Sequence, residues 1–220
     1  MTPPLKAERS EKTPHTAHGE AQRRALARAA YDLIAEKGFE GLRTRDVAER
    51  AGVNVATLHY YFKSKEDLIR GVVGLLREYL SAPLLQPGSR GPLEELCREL
   101  ADVQRQAREI PEVFIVLLEL HLRSLRDPII KAILQEMDVG WREHITAYLT
   151  AGVQQGIFRA DLDVPAAASL LMAYVKGAMM QLIYNPQAFP ADRVSVEITR
   201  WAVTPARAET RRESHPQTPH

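Results

Sequence analysis

The chain of 220 residues is 45% hydrophobic, enough for one sizeable core and a small head. A single cysteine excludes an intrachain disulfide framework. The net charge of +1 divides unevenly: 13 Lys+Arg against 10 Asp+Glu up to Arg70 make +3, and 13 against 16 from Gly71 to Val203 make −3. A positive head on a negative body suits a protein that meets nucleic acid with the head alone.

Helix follows helix along the chain. Residues 1–19 are polar and proline-bearing, which predicts a disordered tail without an apolar signal core. Glu20 to Lys37 repeats Leu26, Ala30, Leu33 and Ile34 on one side and stops at Gly38. Two short helices are expected between Leu42 and Phe62. A fourth, Lys65 to Leu80, carries Leu68, Val72, Leu75, Leu76 and Tyr79 on one face. Pro83 and Pro87-Gly88 then make a loop to Pro92. Further helices are predicted over Leu93–Arg108, Glu112–Leu125, Ile129 to about Gln155, Pro165–Tyr184 and Ala191–Val203. Thr204 to His220 reads as a second disordered tail. No segment alternates as a strand does, so the expected class is all-α. The apolar run Val164 to Tyr184 is broken by Ser169, Lys176 and Gln181 and does not read as a membrane span.

Leu42 to Phe62 carries the strongest signal. Ala48 is small enough for a second helix to cross closely, and Gly52 supplies the positive φ that ends the first helix sharply. Leu58 points back into the same small core beside Val47 and Val53. Asn54 is a good N-cap, and the helix it opens leaves Val55, Ala56, Thr57, His59 and Tyr60 for the outer face. Small groups, a hydroxyl, an imidazole and a phenol fit base edges and thymine methyls in the major groove. Ser64 caps the next helix, Asp67 stands at the capping-box position, and Lys65 lies where it and free amides could meet one phosphate.

The runs Gly38-Phe39-Glu40-Gly41, Thr44-Arg45-Asp46-Val47-Ala48-Glu49-Arg50-Ala51-Gly52-Val53 and Thr57-Leu58-His59-Tyr60-Tyr61-Phe62-Lys63-Ser64-Lys65-Glu66-Asp67-Leu68 resemble the N-terminal domain of the TetR family of bacterial repressors. The resemblance implies an all-α homodimer with a three-helix helix-turn-helix head and a helical bundle that binds a small molecule and dimerises. It implies the division 20–65 for the DNA-binding domain and 66–203 for the effector-binding and dimerisation domain, with tails 1–19 and 204–220. Carried over residue by residue, base contacts fall on Val55, Ala56, Thr57, His59 and Tyr60, and phosphate contacts on Thr44, Tyr61 and Lys65. The family usually has tyrosine at the place of His59, and a serine or threonine cap at the place of Arg43. Arginine cannot cap a helix, but it can pair with a phosphate, so Arg43 joins the backbone contacts.

The body is less legible. Glu112, Glu119, Arg123 and Arg126 make a stripe expected to be solvated, with His121, Phe114, Leu117, Leu118 and Leu125 on the other side. Met137, Trp141, His144 or Ile145, and Tyr148 share an inner face of the next helix. A histidine or aromatic stripe on such a face is usually core. The family's hollow body makes Phe114, Leu118, His121, Trp141, His144 and Tyr148 the candidate effector contacts. Small residues along Pro165–Tyr184 and a stripe on the last helix propose a dimer interface of Leu170, Tyr174, Gly177, Ala178, Val194, Ile198 and Trp201. Cys97, between Leu93 and Leu100, reads as a reduced, buried, structural thiol.

No metal-ligand spacing, phosphate-binding glycine loop, nucleophile elbow or Cys-His pair is found, so no cofactor, metal or catalytic site is expected. The function expected is a cytoplasmic, sequence-specific transcriptional regulator. It acts as a homodimer on double-stranded operator DNA, represses, and is released by a small organic effector, with no membrane partner. The alternatives are a sequence-indifferent architectural DNA binder, or a small-molecule-binding protein with a vestigial head.

Overall fold

A computed structural model describes residues 14–81 and 91–203; the loop expected around Pro83 and Pro87-Gly88, the tail from Thr204 and most of the first tail lie outside the described residues. Among the described residues the chain is all-α. Its helices are α1 (Pro14–Lys37), α2 (Thr44–Arg50), α3 (Val55–Tyr61), α4 (Lys65–Ser81), α5 (Pro92–Glu109), α6 (Pro111–Ser124), α7 (Pro128–Gln154), α8 (Val164–Tyr184) and α9 (Ala191–Ala202). A 3-10 turn, Phe39–Gly41, links α1 to α2. The first helix begins at Pro14 rather than at Glu20, so the end of the expected disordered tail is helical. A proline at the first helical position has no hydrogen bond to lose and its φ is already set.

Contacts divide the chain into two units. One holds residues up to Leu80 together with Val116–Leu134, and the other holds Ser81–Ile115 together with the chain from Gln135. Helices α6 and α7 therefore contribute to both. In the first unit, Leu26, Ala30, Leu33 and Ile34 of α1 are buried with Leu68, Ile69, Val72 and Leu76 of α4. Gly71 lets α4 come close: a Cβ there would lie 2.9 Å from the Phe62 ring and 3.2 Å from Ala27 Cβ.

The core of the second unit is built from Leu96 and Leu100 of α5, Ile145, Tyr148 and Leu149 of α7, and Ala167, Ala168, Leu171 and Met172 of α8. Phe158, past the end of α7, completes it and lies where a Cβ on Gly152 would be 2.1 Å from its ring. Only glycine fits that crossing. Helix α8 is apolar nearly all round, yet Leu170 (51% exposed), Met180 (57%) and Tyr184 (87%) remain open on one side.

Candidate DNA-reading site

The geometry of the head begins with how α2 ends. Gly52 has φ 69°, Val53 N–H donates to Ala48 O at 2.9 Å, and Gly52 N–H donates to Glu49 O at 3.0 Å. These two bonds satisfy orphan carbonyls and turn the chain into α3. A Cβ on Gly52 would meet nothing within 4 Å, so only its left-handed backbone resists substitution. Gly52→Ala is expected to cost about 1 kcal/mol in urea denaturation, the penalty of placing an L-residue there. A loss above about 3 kcal/mol would mean the turn does more than set the angle between the helices.

Asn54 caps α3, its Oδ1 accepting from Thr57 N at 2.8 Å and from Thr57 Oγ1 at 3.0 Å. The Thr57 hydroxyl proton is thus committed within the helix. Its methyl group and the hydroxyl lone pairs remain for an outside partner. Leu58 is buried, Ala56 and His59 are exposed, Val55, Thr57 and Tyr61 are half-buried, and Tyr60 is 71% exposed. The rings of Tyr60 and Tyr61 meet edge to face at 5.1 Å. Phe62, which caps the helix at its C-terminus, is fully buried.

Ser64 Oγ accepts from Asp67 N at 3.1 Å, and the Asp67 carboxylate accepts from Lys63 N at 3.2 Å, one residue ahead of the cap. Beside this turn the Glu66 carboxyl lies below its ordinary value, held by its own backbone N–H and then by Ser64. Lys65 Nζ rests 4.4 Å from the centre of the Phe39 ring. Arg43 precedes α2 with no side-chain cap bond and is exposed, and Thr44 is the first helical residue.

Several cations of this unit are already paired. Arg50 grips Glu36 with both terminal nitrogens, at 2.7 and 2.6 Å, which raises the arginine's pKa and lowers the carboxylate's, each chiefly through that hydrogen bond. Arg23 pairs with Asp67, Arg24 with Glu78 and Arg28 with Asp32. Arg43, Arg45, Lys63 and Lys65 have no carboxylate partner among the described residues, and all four flank the reading helix. Reasoning from sequence missed Arg45 and Lys63. Arg45 stands four residues before Glu49 and could have been taken as paired, but arginine ahead of glutamate is the weaker order on a helix.

The stripe expected to be solvated on α6 is partly engaged instead. Glu119 Oε2 accepts from Phe39 N at 3.0 Å, and Arg123 pairs with Glu40 at 3.0 Å and Asp127 at 3.5 Å. Leu125, expected on the apolar side, is 78% exposed.

Comparison with known proteins decides the family. The description "Bacterial regulatory proteins, tetR family" matches residues 26–72, and "BetI-type transcriptional repressor, C-terminal" matches residues 89–204, more than half of the chain. The chain belongs to the TetR family. A relative, the HTH-type transcriptional repressor KstR2 of Rhodococcus jostii, is 31% identical over 78% of this chain and 81% of its own. Among solved structures, a putative transcriptional regulator from Saccharomonospora viridis in complex with choline has TM-score 0.67 and 27% identity, covering 83% of this chain and 95% of its own. A TetR regulator from Haloarcula marismortui shares the fold at TM-score 0.72 and 20% identity, over 83% and 97%. This TetR-family chain is a DNA-binding transcriptional repressor, and its relatives are regulators rather than enzymes.

The TetR body places the remaining candidates unequally. Trp141, His144 and Tyr148 come together in the second unit around Glu99, a residue the sequence did not single out. Glu99 is 7% exposed; one carboxylate oxygen accepts from Trp141 Nε1 and the other from Tyr148 Oη at 2.8 Å. No lysine or arginine pairs with it among the described residues, and burial pushes its carboxyl up. The His144 ring stands edge-on to Tyr148 at 5.6 Å, with Nε2 buried and without a hydrogen-bond partner among the described residues. Phe114 is buried in the same unit, whereas Leu118 and His121 belong to the other, where His121 Nδ1 bonds Leu117 O at 2.8 Å.

Of the interface candidates, Leu170, Gly177 and Trp201 are exposed, and Tyr174, Val194 and Ile198 are half-buried. Ala178 (2% exposed) packs into the core of its own chain. Tyr174 Oη lies 3.4 Å from Ser195 Oγ. Cys97 corrects its expectation: it is exposed, with Sγ 3.9 Å from Thr199 Oγ1, because it sits one residue beyond the buried Leu96 at the edge of the stripe.

Proposed function

We propose that this TetR-family chain is a homodimeric repressor that reads specific operators in the cytoplasm and is released by a small organic cation. The observation that carries the DNA reading is the exposed face of α3, where Tyr60 stands in solvent near cations that have no carboxylate partner among the described residues. Exposing so large an apolar ring serves no fold, and an outer face made only for solubility would carry Glu and Lys. Val55, Ala56, Thr57, His59 and Tyr60 are assigned to base edges. Arg43, Thr44, Tyr61 and Lys65, with Arg45 and Lys63, are assigned to phosphates.

Because the Thr57 hydroxyl proton is given to Asn54, its methyl group is the outward contact. Thr57→Val is expected to keep operator preference, Thr57→Ser to weaken it, and Tyr60→Ala to cost about 1–3 kcal/mol of binding with little change in stability. Anisotropy with DNA from upstream of the protein's own gene, against a scrambled duplex at physiological salt, reads all three. Preference by a factor of about 10³ or more supports a specific repressor, and equal binding supports an architectural role.

Dimerisation is assigned to the open side of α8, where Leu170, Ala173, Gly177, Met180 and Tyr184 recur at helical spacing, with Val196 and Trp201 of α9. Two heads reading successive major grooves about 34–36 Å apart multiply the specificity of one short helix. Gly177→Arg is expected to give a monomer in sedimentation equilibrium; a dimer of wild-type strength would place the interface elsewhere.

The effector site is assigned to Trp141, His144, Tyr148 and Glu99. A buried carboxylate held by two uncharged donors has no paired lysine or arginine among the described residues, and aromatic faces beside it suit an organic ammonium. The choline complex of the Saccharomonospora viridis neighbour makes choline the first probe. Release requires effector to favour the incompetent state by about 5.5 kcal/mol for a near-complete switch. Titrating choline, then tetramethylammonium, into the operator complex tests this. Release of wild type but not of Glu99→Gln supports the assignment, and indifference to both compounds overturns it.

A further inference from the structure

A groove that shares no lining residue with the Glu99 cluster lies in the second unit. The chain from Leu182 to Arg193 folds back against the end of α5 and leaves a groove of about 710 Å³. That volume lies in the range that holds small organic ligands. Leu182, Ile183 and Phe189 make much of its wall, and the guanidinium-bearing residues Arg108 and Arg193 line it too. None of its lining residues belongs to the Glu99 cluster.

The state of those two arginines singles out the groove. Among the described arginines of this unit, Arg98 pairs with Glu95 and Asp102, Arg105 with Asp102 and Glu109, Arg159 with Asp161, and Arg200 with Glu197. Arg142 donates to Ser169 Oγ at 2.8 Å. Among the described residues, Arg108 and Arg193 are the arginines of this unit with no hydrogen-bond or ion-pair partner, although Asp192 lines the same groove. An unpaired guanidinium keeps its fork of donors for a carboxylate or phosphate. Two of them beside an apolar wall match a ligand with an anionic head and a hydrocarbon body.

We propose that this groove binds an amphiphilic organic anion, with Arg108 and Arg193 on its head and Leu182, Ile183 and Phe189 on its chain. The assignment does not depend on the effector reading of Glu99. The shared chemistry is that of an alkyl carboxylate or an alkyl phosphate, and two probes separate them.

The test is isothermal titration of the full chain with decanoate and with decyl phosphate, both below their micellar concentrations, beside decanol and decyltrimethylammonium. One anion is expected to bind saturably at one per chain, more tightly than decanol or the cation. Arg108→Ala and Arg193→Ala are each expected to weaken it about tenfold, the scale of one hydrogen bond to a charged group. Neither arginine has a partner to lose, so the thermal midpoint should stay where it is, which confirms that the variants remain folded. Glu99→Gln should leave anion binding unchanged. Decanol binding as tightly as the anions, or anion binding indifferent to the double arginine replacement, would overturn the proposal. So would failure of both anions to bind.

Discussion

Phe62→Ala is expected to destabilise the DNA-reading unit by about 3–5 kcal/mol and to abolish operator binding at temperatures where wild type still binds. The ring is fully buried, and its amide closes α3 by donating to Leu58 O at 2.8 Å. The Arg23 guanidinium lies 4.7 Å from its centre, and Gly71 of α4 approaches it so closely that a Cβ there would be 2.9 Å away. Phe62 is therefore the wedge that seats the reading helix against α4. Removing it leaves a cavity that two helices cannot close without losing the Gly71 approach. Whole domains are stable by only about 5–15 kcal/mol, so the loss is a large share of the total. Urea titration followed by tyrosine fluorescence and by operator anisotropy checks both halves. A loss below about 1 kcal/mol would mean that α3 is seated by Leu58 alone. Phe62→Leu, which keeps most of the volume, should fall between.

Glu99→Ala is expected to cost the second unit about 2–6 kcal/mol. The substitution strands two donors, the half-buried Trp141 Nε1 and the buried Tyr148 Oη, each costing about 1–3 kcal/mol when buried without an acceptor. Burial and the neighbouring carboxylate push the Tyr148 phenol far above its ordinary value, so it stays a donor across the working range. Glu99→Gln keeps one accepting oxygen and should cost less.

The same residue sets a pH dependence. Burial raises its folded pKa above the ordinary 4.5. The folded chain therefore holds the proton more tightly than the unfolded one, and this contribution to stability is full below 4.5 and lost as pH rises through the raised value. The Trp141 and Tyr148 bonds oppose the shift without cancelling it. Denaturation of wild type and Glu99→Gln at a series of pH values isolates the effect as a difference. Parallel curves would show that the carboxyl titrates as it does in the unfolded chain.

How legible these features were depends on the range of the forces behind them. The helices were readable because their signals are local. Leu26, Ala30, Leu33 and Ile34 repeat at helical spacing and are all buried, Asn54 caps α3, and Gly52 ends α2. The motif was readable for the same reason: the close crossing, the positive φ and the inward leucine are each demanded within a dozen residues. The resemblance to the family was carried by that run alone.

Which polar groups are free could not be read in this way. Arg45 and Lys63 have no carboxylate partner among the described residues while Arg50 is bound to Glu36 on α1, and Glu119, which looked solvated, accepts from Phe39 N eighty residues away. Cys97 and Glu99 lie two positions apart on one helix, yet the thiol is exposed and the carboxylate is buried. A period of 3.6 residues names a face, but only the neighbouring helices decide how much of it they cover. The sequence by itself determined the elements, the head and the family, because backbone hydrogen bonding and apolar periodicity act within a few turns. The tertiary structure alone decided the charge partners, the buried Glu99 cluster and the groove of Arg108 and Arg193. Burial and ion pairing belong to the space between segments distant in the chain.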